Sequence, residues 1–302
     1  MTVDSAREKF GDAAWIMALG NHDTVLGSKL VCENFQYTEQ DHFGGHVFEQ
    51  GGVQFLTLPF YVNEDAVPDG VTNWLVSALS APTDARWRIV MTHASPYTTG
   101  KHAASKNFIR QLTPIFARYK VDLVLQAHDH TYSRTLPYRW SGAGYTQLTS
   151  DSVNVNLEPA TTNVQGYAGV PFYHHPEGTF YVSAGASGSD LGGREAYADR
   201  DGEFSYSKNE LKVVTDTVKL NSKYATAGAD GSKDLSMPMF AVLKIDGDLL
   251  TYDWYVTETD GTATLFDTLR ICKAGEVPVE PPAAAAEDLS DYKWAVIGDS
   301  LS

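Results

Sequence analysis

The chain has 302 residues, of which 43% are hydrophobic and 12% aromatic, with a formal net charge of −15. That content is too apolar for a disordered chain and supports one large core or two modest ones. The acidic balance excludes a general nucleic-acid-binding face, which needs clustered Lys and Arg, but it leaves a phosphate substrate open because bound cations invert the local field.

In chain order, the apolar run at residues 13–19 predicts a buried strand that runs into Gly20-Asn21-His22-Asp23. Residues 44–58 predict a hairpin, with His46-Val47-Phe48 and Val53-Gln54-Phe55-Leu56 joined at Gly51-Gly52. Residues 71–79 predict a helix, with Trp74, Leu75, Ala78 and Leu79 on one stripe. Arg88-Ile89-Val90-Met91 predicts a strand running into Thr92-His93. A second helix is predicted after a Ser105 cap, with Phe108, Ile109, Leu112, Ile115, Phe116 and Tyr119 on one face, and Pro114 predicts a kink or a restart. Val121-Asp122-Leu123-Val124-Leu125 is the next strand, ending in Gln126-Ala127-His128-Asp129-His130. Residues 141–176 and 187–234 are rich in Gly, Ser, Asp and Asn and read as long surface loops, separated by a strand at 178–183. Residues 240–271 read as a meander with turns at Asp246-Gly247 and Asp260-Gly261.

A proline- and alanine-rich spacer follows, and Trp294-Ala295-Val296-Ile297 then reads as a new strand entering Gly298-Asp299-Ser300-Leu301-Ser302. The expected organisation is a main domain over 1–274, a linker over 275–292, and the start of a further domain or a stray strand over 293–302. No apolar run reaches membrane-spanning length, and Met1 leads into a polar stretch rather than a secretory leader pattern. Cys32 and Cys272 match no metal-binding spacing and read as two buried thiols, with one long-range disulfide as the alternative.

Strands alternating with helices predict an α/β layered fold. In such sheets ligands gather at the carboxyl ends of the strands, where all three polar clusters fall. Asn21, His93, His128 and His130 offer an amide oxygen and three imidazoles, donors that suit Zn, Fe, Mn or Ni rather than Ca or Mg. A lone Gly-Asn-His-Asp is compatible with a turn, and a lone His-x-His is weak evidence. Three such clusters, in this order and at strand ends, point to a metal centre. His42, His46, His174 and His175 read as loop or strand-end residues.

Gly20-Asn21-His22-Asp23, Thr92-His93-Ala94-Ser95-Pro96-Tyr97 and Ala127-His128-Asp129-His130-Thr131-Tyr132-Ser133-Arg134 together resemble the last three metal motifs of the calcineurin-like metallophosphoesterases. The Tyr-x-Arg ending resembles the purple acid phosphatase branch. The resemblance spans residues 13–273 and implies a four-layer α/β/β/α sandwich. It implies that Asn21, His93 and His128 bind one metal and that His130 binds the other, the metals being Fe, Zn or Mn. It implies that His22 contacts the phosphoryl oxygens or leaving group and that Asp23 orients it. It also implies that His102, nine residues after His93 and by itself a surface histidine, helps protonate the leaving group.

The implied activity is hydrolysis of small phosphate esters, foremost monoesters, by metal-activated hydroxide in an extracellular or cell-surface protein. A phosphodiesterase and a catalytically incomplete scaffold domain of the same fold are the alternatives. Ala127 stands where the family has Gly before its His-x-His pair. Nothing before Ala13 resembles the family's opening Asp-x-His strand or its Gly-Asp motif, and Met1 to Asp12 reads as the end of a helix. The chain is therefore expected to lack its first strand or strands, to hold one metal or partial occupancy, and to be a poor phosphatase as written. Residues 298–302 resemble both the opening of GDSL esterases, with Ser300 as nucleophile, and a first phosphoesterase strand with Asp299 as a metal ligand. An ordinary strand and turn is the third reading.

Overall fold

The computed structural model describes residues 16, 18–20, 45–58, 67, 69–96, 106–128, 132–134, 137, 172–174, 176, 178–184, 239–257 and 261–273. The first hairpin pairs β1 (His46–Gln50) with β2 (Val53–Thr57) across Gly51-Gly52. Both glycines have positive φ, 59° and 77°. That is the geometry of a tight hairpin turn whose twist matches the strands, and glycine adopts it without a Cβ penalty.

Helix α1 (Asp69–Ser80) leads to β3 (Trp87–Thr92), and α2 (Lys106–Arg118) leads to β4 (Leu123–Gln126). The end of α2 is closed by two backbone bonds, Lys120 N to Ala117 O at 3.2 Å and Val121 N to Phe116 O at 2.9 Å. Lys120 sits at φ 53°, so the chain leaves the helix through a left-handed residue and enters β4 within a few positions. Pro114 lies inside α2, and the helix does not restart there, contrary to one of the outcomes the sequence predicts. Leu112, Ile115 and Phe116 around it are fully buried, and that packing outweighs the hydrogen bond a proline cannot donate.

The remaining strands are β5 (Tyr132–Arg134), β6 (Phe172–His174), β7 (Phe180–Ala184), β8 (Met239–Asp246), β9 (Leu249–Thr257) and β10 (Ala263–Cys272). They form a six-stranded sheet ordered β1-β2-β3-β4-β7-β5 and a four-stranded sheet ordered β6-β10-β9-β8. In the first sheet β2, β3, β4 and β7 run parallel. The second is the expected meander, with Gly247 and Gly261 at positive φ in its turns and β6 added in parallel to β10.

Two cores flank the first sheet. On one face Leu56, Val90, Val124 and Tyr181 pack against Leu75, Leu79, Leu112, Ile115 and Phe116 of the helices. On the other, Ile89, Met91, Leu123, Phe180 and Val182 meet Leu250, Tyr252, Trp254, Leu269 and Ile271 of the second sheet. Burial on both faces explains why β3 and β4 read as continuous apolar runs rather than alternating ones. The outward row Val242, Asp253 and Thr268 on the second sheet is also buried. The described residues thus make an α/β/β stack within an α/β sandwich fold.

Three expectations need correction. Ile16, Ala18, Leu19 and Gly20 lie outside any strand. Ile16 and Ala18 nevertheless pack against the core between the sheets, and an apolar run reports that burial rather than a hydrogen-bond ladder. β6 falls inside the stretch read as loop, because a three-residue strand carries too little periodicity to register. β5 was not foreseen for the same reason. Cys272 is buried, as expected. Cys32, the linker at 275–292 and residues 293–302, with Asp299 and Ser300, lie outside the described residues.

Candidate metal centre

β3 and β4 are neighbours in parallel register, with Thr92 opposite Gln126. The chains leaving them emerge side by side, carrying His93 on one and His128 on the other. His93 is buried, 3% exposed, and His128 is half-buried. Nε2 of His93 lies 3.0 Å from Nδ1 of His128, with ring centroids 4.7 Å apart and planes tilted by 53°. At that separation at most one proton sits between the two nitrogens, so one ring presents a lone pair to the other.

The donor set fits a transition metal. Ligating imidazole nitrogens lie about 2.0–2.1 Å from zinc, which places two of them about 2.9–3.4 Å apart on one ion. A pair of neutral imidazoles at this spacing is compatible with two of the ligands of such an ion. Among the described residues no group of three or more His, Cys, Asp or Glu side chains converges. Asn21, His22, Asp23, His102 and His130 lie outside the described residues. Of the seven residues singled out from the sequence, the structure therefore places His93 and His128, and it brings them together.

The backbone around the pair explains how it is held. The Ala127 N–H donates to the His93 carbonyl at 3.2 Å, and the Ser95 hydroxyl donates to the Ala127 carbonyl. His128 has φ 68°, in the left-handed region, a conformation costing a non-glycine residue about 1–2 kcal/mol. Gly20 approaches from the first of the three clusters in chain order. A Cβ there would stand 2.7 Å from Nδ1 and 2.8 Å from Cε1 of His93, so a larger residue would press on the ring where it now sits. Below, Gln126 donates from Nε2 to the Ser183 hydroxyl at 3.2 Å, and the Trp254 indole donates to the Ser183 carbonyl at 3.3 Å. The second sheet thereby supports the strand ends that carry the site. Sequence reasoning singled out neither Ser95 nor the steric role of Gly20. Their only signal was position, two residues after His93 and one before Asn21.

Residues 4–132, which contain both histidines, match the family model for calcineurin-like phosphoesterase. That stretch is similar to the calcineurin-like phosphoesterases. Purple acid phosphatase 7 of Arabidopsis thaliana is 28% identical over 141 residues, covering 38% of this chain and 42% of that protein. Purple acid phosphatase 17 of the same plant is 29% identical over 100 residues, covering 30% of each chain. The chain thus spans less than half the length of these relatives. A purple acid phosphatase from yellow lupin (Lupinus luteus) seeds has a similar fold, with a TM-score of 0.50 and 15% identity over 91% of this chain and 42% of that one. The relatives that this segment resembles are purple acid phosphatases, the branch whose motifs its own motifs resemble.

Proposed function

We propose that this chain belongs to a metal-dependent hydrolase of phosphate esters, foremost monoesters, and that His93 and His128 are ligands of its metal centre. The observation that carries the reading is the contact between buried His93 and half-buried His128, 3.0 Å apart at the carboxyl ends of adjacent parallel strands. Asn21 follows Gly20, which packs on the His93 ring, and it would complete the first ion's ligands with the two histidines. His130 would serve a second ion.

His22 would bind the phosphoryl oxygens, with Asp23 orienting its ring. His102 would deliver a proton to the departing alkoxide, leaving it as the neutral alcohol. When bound, the ions supply a nucleophile at neutral pH and charge opposite the phosphoryl oxygens. The strands beneath the site are buried on both faces.

Among the described residues no helix is long and apolar enough to cross a membrane. An extracellular or cell-surface location belongs to the same reading, and its support is the likeness to purple acid phosphatases.

The test is turnover of p-nitrophenyl phosphate and of bis-p-nitrophenyl phosphate with added Zn, Mn or Fe. We expect metal-dependent turnover of the monoester that exceeds the diester and disappears in His93→Ala. The rate should be low, since the named ligands give the second ion only His130. Faster diester hydrolysis would make the protein a phosphodiesterase. Indistinguishable metal content in wild type, His93→Ala and His128→Ala would leave a scaffold domain.

A further inference from the structure

We propose that Ser95 is a positioning residue for the histidine pair, gripping the Ala127 peptide so that His128 turns its Nδ1 onto Nε2 of His93. The purpose assigned to it rests on the metal-centre reading above, but the grip itself is independent of it.

Only Ala127 separates the end of β4 from His128. Gln126 is locked on both sides, in register with Thr92 of β3 and Ser183 of β7. Ala127 is therefore the link through which the end of β4 leads into His128. Both polar groups of Ala127 are held by the opposite loop, the N–H by the His93 carbonyl at 3.2 Å and the carbonyl by the Ser95 hydroxyl. Holding the Ala127 carbonyl fixes the plane of the peptide that leads into His128. His128 then occupies φ 68°, a region that side chains other than glycine rarely adopt without such support.

The loop after β3 thus acts twice on its neighbour. It offers the His93 ring and, two residues later, the hydroxyl that orients the ring's partner. Ser95 is fully buried, so water does not replace the hydroxyl when it is removed. Groups that orient ligands in this way commonly alter metal affinity about 10–100-fold when lost.

The experiment compares the 302-residue chain with Ser95→Ala and Ser95→Thr. The first readout is Co(II) affinity from its visible absorption. The second is the histidine nitrogen NMR spectrum of the metal-free protein, which reports the N–H···N contact between the two rings. Ser95→Ala should weaken Co(II) binding about 10–100-fold and abolish the contact signal. Ser95→Thr, which keeps the hydroxyl, should restore both toward wild type.

Wild-type affinity and an intact contact signal in Ser95→Ala would overturn the proposal. Equal losses in both variants would overturn it too, since packing alone would then account for them. Should wild type and His93→Ala bind Co(II) equally, the metal reading fails. In that case the contact signal decides the role of Ser95, its loss in Ser95→Ala supporting the grip and its persistence refuting it.

Discussion

Lys273, the first residue after β10, reaches both carboxylate oxygens of Asp122, at 2.7 and 2.8 Å. Asp122 directly precedes β4, so the pair joins the two sheets at the end opposite the histidines. The Lys273 ammonium also lies 4.3 Å from the Trp87 ring centroid and donates to the Arg86 carbonyl at 2.8 Å. Trp87 in turn donates from its indole to the Gly247 carbonyl at 2.8 Å. Burial pushes the Asp122 carboxyl above the usual carboxylate range, while Lys273 and the Arg88 N–H pull it back. Burial likewise holds the Lys273 amine below its ordinary value, with Asp122 opposing.

Replacing Lys273 with Met should therefore destabilise the fold in a pH-dependent way. Without the ammonium only the upward pull of burial and the weaker Arg88 contacts remain, so the Asp122 carboxyl rises further. A raised carboxyl contributes stability below its unfolded value, and that contribution is lost as pH rises through the folded value. The gap in thermal midpoint between wild type and Lys273→Met should be wide at neutral pH and narrow toward pH values of about 4. The neutral-pH cost should be about 2–3 kcal/mol, below the roughly 3–5 kcal/mol of a fully buried pair because both side chains keep some solvent contact. A gap of constant size across this range would assign Lys273 to packing on Trp87 alone.

Gly20→Ala is expected to displace the His93 ring, because the added methyl would fall 2.7 Å from Nδ1. Overpacking of this kind costs about 1–3 kcal/mol. Metal affinity should fall by more than the loss of stability explains. Calorimetric titration of Zn(II) into Gly20→Ala checks this, and wild-type affinity would show that the ring is free to move aside.

His102→Ala should lower kcat by roughly 10²–10⁴-fold with little change in KM, since proton delivery to a leaving group acts in the transition state. The effect should be largest for alkyl phosphates and small for p-nitrophenyl phosphate, whose leaving group needs no proton. Equal rates for wild type and variant on an alkyl phosphate would return His102 to the role of a surface residue.

Truncation after Pro278 should leave the thermal midpoint nearly unchanged. The described core closes at Cys272 and Lys273, where β10 ends and the bonds to Asp122 and Asp248 are made. A large drop on scanning calorimetry would mean that residues 294–297 pair into one of the sheets.

The positions of His93 and His128 at the ends of strands were legible in the chain because their signals are local. Burial on both faces made β3 and β4 continuous apolar runs, and each run stops at a ligand-type residue, His93 or His128. The turn at Gly51-Gly52 was legible because two consecutive residues with positive φ select glycine. Local patterning also favoured the stripes of both helices.

Tertiary structure alone decided the rest. The sequence order says nothing of β7 lying between β4 and β5, or of β6 lying beside β10, because these pairings join segments far apart in the chain. The continuity of α2 through Pro114 was set by its neighbours rather than by propensity. The contact between His93 and His128 depends on the parallel register of Thr92 and Gln126, and on Gly20 and Ser95 closing around it. Residue type determines which atoms can bind a metal. Only the packing of three separate segments brings such atoms to within 3.0 Å of one another.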